Sequence, residues 1–232
     1  MPAVATGASA ANGSLLAIGI SGDGDSLSIG LGQLCHAIRR NVNMLYVLEN
    51  NGVYGLTKGQ FSASAGVGSK SKRGEPDAPA PIDPVLLALT LGATFVARSF
   101  SGDKAGLVPL LKAGLSHRGF ALVDVISPCV TFNDHEGSTK SYLHTRRHEH
   151  PVAPVDFVPV RREITAPEPS SGTTSVTMHD GSVVRFRAVE EGYDPTDRDA
   201  AYAPVRRLQV AGEVATGLLY LDQGAPDMHA LN

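Results

Sequence analysis

Two polar turns, Gly22-Asp23-Gly24 and Asn50-Asn51-Gly52, each come just after a short apolar run, residues 15–20 (LLAIGI) and 44–48 (MLYVL). Between the runs, residues 28–40 (SIGLGQLCHAIRR) place Leu31, Leu34, Cys35 and Ile38 on one helical face, and Arg39 and Arg40 close the helix with favourable charge. Strand, helix and strand in that order predict a β–α–β unit with a right-handed crossover. Both turns then lie at the carboxyl ends of neighbouring parallel strands, where open α/β sheets bind ligands. A glycine turn at such a place favours a phosphate, yet Asp23 repels one. A divalent cation between carboxylate and phosphate removes the conflict. An Asp, an Asn amide oxygen and a backbone carbonyl would complete a hard-cation site that carries a diphosphate.

A dinucleotide-binding turn is the rival reading. Gly22-x-Gly24 is only a partial G-x-G-x-x-G, because Leu27 stands where Gly or Ala is needed. Glu49 would serve as the ribose-binding acid. Asp23 would then face a pyrophosphate with no metal between them. The plain alternative is a polar Gly/Asp turn, which is common when alone. The Asn pair after a second strand makes the combined pattern specific.

The remaining chain supports an α/β class: a parallel sheet flanked by helices over residues 1–150, then a small α+β extension over 151–232. Residues 50–83 form a long loop rich in Gly, Ser, Lys and Pro, a length that points to function. Pro84–Leu91 reads as a helix opened by its proline. Residues 94–97 read as a strand, 104–117 as a helix with Pro109 allowing a bend or a late start, and Phe120–Ile126 as a buried strand leading to Ser127-Pro128-Cys129. Beyond 151 prolines recur. A polar linker covers 170–174. Residues 176–178 and 183–186 flank an Asp-Gly turn as a hairpin. A helix over 197–210 and a last strand over 218–221 follow, and this extension is expected to pack on the main domain or a partner.

With 232 residues, 42% hydrophobic and 19% charged, the composition is that of a globular protein. A net charge of −3 argues against a basic nucleic-acid-binding surface. No apolar run reaches the roughly 18 residues of a membrane span. MPAVATGASAANGS lacks the basic start and apolar core of a signal peptide. Two cysteines, Cys35 and Cys129, make no disulfide framework. The expectation is a cytoplasmic protein that engages neither nucleic acid nor membrane.

The stretches GDGDSLSIG, HAIRRNVN, LENNGVYGLTKGQFS and SPCVTFNDHEGSTKSY, in this order, resemble the beta subunit of 2-oxoacid:ferredoxin oxidoreductases, the 2-oxoglutarate type included. The resemblance covers roughly residues 1–165, about one domain's worth of chain. It implies a thiamine-diphosphate-binding fold, with residues 1–150 as its diphosphate domain. Asp23 and the Asn51 side chain resemble two Mg²⁺ ligands, and the Val53 carbonyl a third. Gly22, Gly24 and Asp25 would lie against the diphosphate, Asn50 would support the loop, and Gly55, Leu56 and Thr57 would line the cofactor. Lys58 belongs to the LTKGQ motif and is implied to contact the 2-oxoacid carboxylate, a task suited to a compact ammonium. The implied partners are an alpha subunit that completes the active site, ferredoxin, coenzyme A and the 2-oxoacid.

Cys129 resembles the last of four cysteines that hold a 4Fe–4S cluster. The other three lie upstream in the family, two as Cys-x-x-Cys, and this chain has no such pair. The resemblance places Met1–Gly7 in the middle of the family's domain, so roughly 70–90 family residues are expected to be absent, a third of a large domain. Their loss is expected to expose apolar sheet surface and to leave a chain inactive in electron transfer, since one thiolate cannot hold the cluster. Cys35, on an apolar helix face, reads as a small hydrophobe. The other functional readings are a non-catalytic remnant that binds the alpha subunit or the cofactor, and a cluster-free thiamine-dependent decarboxylase or carboligase. His144, His148 and His150, interleaved with Arg146 and Arg147, read as a solvated or partner-facing basic segment rather than a zinc site. Lys70, Lys72 and Arg73 form a basic run that could attract coenzyme A or the partner. Asn133 and Asp134 read as turn caps.

Overall fold

The structure, a computed structural model, describes residues 1–69, 80–159, 173–187 and 193–231. The run Lys70, Lys72 and Arg73 and residues 170–172 of the expected linker lie outside the described residues. In chain order the elements are α1 (Pro2–Ala11), β1 (Ala17–Gly22), a π-helical turn (Asp25–Ile29), α2 (Leu31–Arg39), β2 (Met44–Asn50), β3 (Val53–Tyr54), β4 (Gln60–Phe61) and α3 (Pro84–Leu91). Then come β5 (Phe95–Phe100), α4 (Lys104–Ser116), β6 (Phe120–Ile126), α5 (Tyr142–His148), β7 (Glu149–Ala153), β8 (Val155–Val158), β9 (Thr173–Thr177), β10 (Val183–Arg187), α6 (Arg198–Val210) and β11 (Val214–Leu221).

Six strands form the central sheet in the order β1-β2-β6-β5-β11-β7. The first four are mutually parallel, β11 runs antiparallel to β5, and β7 is parallel to β11. All seven residues of β6 are buried, as a parallel strand covered on both faces must be. Leu34, Ala37, Ile38, Val85, Leu89, Val205 and Leu208 bring α2, α3 and α6 into one core with Met44, Tyr46, Val96 and Leu122 of the sheet. Leu110 and Ala113 of α4 build the opposite core with Leu45, Phe95, Ala121 and Val123, and Val184 and Phe186 of β10 join it with Met178 from the β9–β10 turn.

The expected β–α–β unit forms, with two shifts. The first strand begins at Ala17, which leaves Leu15 and Leu16 outside it. The expected helix over 28–40 starts at Leu31, because the Gly30 N–H donates to the Asp25 carbonyl at 2.6 Å, an i→i+5 bond that winds residues 25–29 into a π turn. The 104–117 helix does not start late at Pro109. Asp103 caps it by accepting from the Gly106 N–H, and the proline sits inside it.

The expected boundary at 150 falls within β7, and β11 and α6, both from the expected extension, lie in and on the main sheet. The hairpin is present: Asp180 Oδ1 accepts from the Ser182 N–H at 2.9 Å, and Gly181 takes φ +81°. Among the described residues no helix is long and apolar enough to cross a membrane.

Candidate functional site

Asp23 follows β1, is 1% exposed, and is the hub of the site. Its Oδ2 accepts from the Gly52 N–H at 3.0 Å and from the hydroxyls of Ser62 and Ser64. Its Oδ1 accepts only weakly, from the Asn51 N–H at 3.5 Å. The two expected turns are thus clasped together by the carboxylate, and Oδ1 is the oxygen left for a cation. Asn51 Oδ1 accepts from the Val53 N–H at 3.0 Å. An amide oxygen has two lone pairs, so that bond leaves one for a metal. Among the described residues no group of three or more His, Cys, Asp or Glu side chains could hold a metal. A cation seated against Asp23 would draw on amide and backbone oxygens, the hard donors that Mg²⁺ prefers.

Asn50 points the other way. It is fully buried, accepts from the Ser64 hydroxyl at 2.8 Å and donates to Asp124 Oδ1 at 3.0 Å. It braces the loop from inside. Gly24 lies under Tyr54, whose hydroxyl donates to the Gly24 carbonyl at 3.2 Å. A Cβ on Gly24 would come within 2.5 Å of that ring, so a larger residue there would push Tyr54 aside. Asp25 opens the π turn, exposed, and accepts from the Ser21 hydroxyl at 2.5 Å. Gly22 lends its carbonyl to the Ser26 hydroxyl.

Gly55, Leu56, Thr57 and Lys58 form the exposed tip of the β3–β4 hairpin. Lys58 has φ +76°, an unusual conformation for a residue with a Cβ. The Leu56 side chain is fully exposed. Cys129 is half-buried in the turn after β6, and its carbonyl accepts from the Phe132 and Asn133 N–H groups. That turn is fastened to the Asp23 loop, because Asn133 Nδ2 donates to the Asn51 carbonyl at 2.7 Å and the Ser127 N–H to the Asn50 carbonyl at 2.9 Å. The Phe132 ring packs against Gly59, next to Lys58.

The three motif stretches therefore meet at one end of the sheet. Ser62, Ser64, Tyr54 and the anchoring role of Asn133 escape the sequence reading.

Beneath the site runs a buried charged chain. Asp124 Oδ2 accepts from Arg98 Nε at 2.6 Å, Asp83 Oδ1 from Arg98 Nη2 at 2.7 Å, and Asp83 Oδ2 from Gln209 of α6 at 3.3 Å. Burial would raise the Asp83 carboxyl, but the Arg98 charge and hydrogen bond and the Leu86 N–H hold it below its usual value. Burial likewise opposes the Arg98 charge, and Asp83 and Asp124 more than offset it.

A four-cysteine cluster does not fit. Cys35 in α2 and Cys129 are the chain's two cysteines, both free, and burial pushes the Cys35 thiol up. Of the expected basic histidine segment, His144 and His148 stack at 4.0 Å between ring centroids, and burial, then His148, lowers the His144 pKa.

Residues 1–125 match the family model described as thiamine pyrophosphate enzyme, C-terminal TPP binding domain. The 2-oxoglutarate oxidoreductase subunit KorB of Mycobacterium tuberculosis is 47% identical over 136 residues, 57% of this chain and 36% of that protein. The 2-oxoacid:ferredoxin oxidoreductase subunit beta of Sulfolobus sp is 43% identical over 159 residues, 68% of this chain and 51% of that protein. The matched stretch thus spans about half, or less, of these relatives' own length. The solved 2-oxoglutarate:ferredoxin oxidoreductase from Magnetococcus marinus, with 2-oxoglutarate, coenzyme A and succinyl-CoA bound, superposes with a TM-score of 0.74 at 33% identity, over 99% of this chain and 64% of that one. Family model, relatives and sheet agree, and the chain belongs to the thiamine pyrophosphate enzymes, whose C-terminal TPP-binding domain its residues 1–125 match.

Proposed function

We propose that this chain provides the Mg²⁺–diphosphate half of the active site of a 2-oxoacid:ferredoxin oxidoreductase beta subunit, with 2-oxoglutarate as the favoured substrate. The observation that carries this is the clasp of Asp23 on the Asn51–Val53 loop through the Gly52 N–H. Asp23 Oδ1, Asn51 Oδ1 and the Val53 carbonyl hold Mg²⁺, and the backbone of Gly22, Gly24 and Asp25 receives the diphosphate at the start of a helical turn. Bound thiamine diphosphate supplies the electron sink that lets a 2-oxoacid lose carbon dioxide. Gly55, Leu56 and Thr57 line the cofactor, with Leu56 excluding water once a partner covers the tip. The ammonium of Lys58, an exposed residue at the hairpin tip, takes the substrate carboxylate. An alpha subunit completes the site, coenzyme A accepts the acyl group, ferredoxin accepts the electrons, and the complex is cytoplasmic. The residues of this chain do not fit the family's cluster, so no electron step is routed through them.

Two separate free thiols, Cys35 in α2 and Cys129 after β6, favour a second reading, a cofactor-binding subunit without turnover. Two measurements separate the readings. Calorimetric titration with Mg–thiamine diphosphate, alone and with a cognate alpha subunit, is expected to give binding that Asp23→Ala abolishes. No binding in either case refutes both readings. Viologen-dye reduction that depends on 2-oxoglutarate and coenzyme A, in the coexpressed pair, is expected under the first reading and absent under the second.

A further inference from the structure

Behind the Ser64 side of the site lies a cavity of about 470 Å³, within the size range of small-molecule sites. Its wall carries three cationic side chains, Arg98, Lys140 and Arg206, and the amide of Gln209. Ile82 and Val205 supply apolar surface. The acidic groups on the wall are fewer. Asp83 is spent on Arg98, Gln209 and the first N–H groups of α3, and Glu213 is the other. Lys140 differs from Arg98. Its ammonium has no hydrogen bond and no ion pair among the described residues, although Asp124, Asp83 and Asp23 all act on it through space. Its stem packs against Gly52, with Cγ 3.2 Å from where a Cβ would stand, so the lysine bridges the cavity wall and the loop that carries Asn51. A partly enclosed ammonium without a partner lacks the contact that normally compensates its lost hydration.

We propose that this cavity binds a small organic carboxylate, with Lys140 as the charged anchor, Arg206 and Gln209 at the mouth, and Ile82 and Val205 against the ligand's carbon chain. The carboxylate restores the missing partner of Lys140. The short apolar wall and the paired state of Arg98 favour a compact acid over a polyphosphate.

The test is calorimetric titration of glutarate into the full chain saturated with Mg–thiamine diphosphate, and into the chain without it. Binding is expected in both, weakened by added salt. Lys140→Met, which keeps the stem, and Arg206→Gln, on the exposed face of α6, are each expected to weaken it about tenfold, as loss of one charge-assisted hydrogen bond does. Arg206→Gln keeps the test decisive if Lys140→Met fails to fold. The proposal is overturned if glutarate does not bind at millimolar concentration, if neither Lys140→Met nor Arg206→Gln weakens the binding, or if inorganic phosphate binds more tightly than glutarate. Glutarate binding without any Mg–thiamine diphosphate binding supports the cavity while refuting the proposed function.

Discussion

At the scale of single residues, Asp23 is a carboxylate with one crowded oxygen and one open one. Two hydroxyls and a backbone N–H fix Oδ2, so Oδ1 is aimed while carrying only the long Asn51 N–H contact at 3.5 Å. Ser64 also serves Asn50, and Ser64→Ala leaves the buried Asn50 Oδ1 without that donor. The expected cost is about 1–3 kcal/mol in urea unfolding, with weaker Mg–thiamine diphosphate binding in the same sample. His117 makes a pH prediction. Burial, then His179, depresses its pKa to about 3, while its Nε2 pairs with the Thr94 hydroxyl. The unfolded chain protonates this ring below its ordinary value and the folded chain does not. Stability is therefore full above that value and falls as pH drops from about 6.5 toward the folded value, by up to about 1.4 kcal/mol per pH unit. His117→Gln is expected to flatten the fall, as read from urea midpoints at pH 7 and pH 5.

At the scale of elements, β1 stands at the sheet edge and leaves Ile18 and Ile20 52% and 61% exposed on one face. That face continues the layer that α4 covers over its neighbours, with Leu45 and Val47 paired beside the two isoleucines. Ile18→Thr with Ile20→Thr is expected to change stability by only about 0.5 kcal/mol while lowering light scattering on heating. The core strands were legible because parallel strands buried on both faces read as unbroken apolar runs, as FALVDVI does. α1, α5, β7 and β8 were not read. PAVATGASAA is small and weakly periodic, and EHPVA carries a proline inside a strand, so neither gives a local signal and both are set by tertiary pairing. The site was legible where chemistry is written in residue type, at Asp23 and Asn51. It was illegible where a common residue acts by placement, as Tyr54 does over Gly24.

At the scale of the whole molecule, residues after 150 are part of the main body. A chain ended after Ala153 loses β11 from the sheet and Ala201, Val205 and Leu208 from the core, which uncovers both β5 and α3. It is expected to show no cooperative thermal transition by circular dichroism, whereas the full chain shows a single transition for sheet and tail together. Gly217 marks how closely the tail is fitted. Its φ is +103°, and a Cβ there would come within 2.4 Å of the Ala153 carbonyl oxygen. The insertion of β11 between β5 and β7 also sets an order of events during synthesis. The second partner of β5, β11, is made roughly a hundred residues after β5 itself, a long-range pairing of the kind that slows folding. Until then β5 carries an open edge beside a finished β1-β2-β6 ladder, so a nascent chain of this protein passes through a long interval in which a chaperone, or another chain, can reach that edge before β11 does.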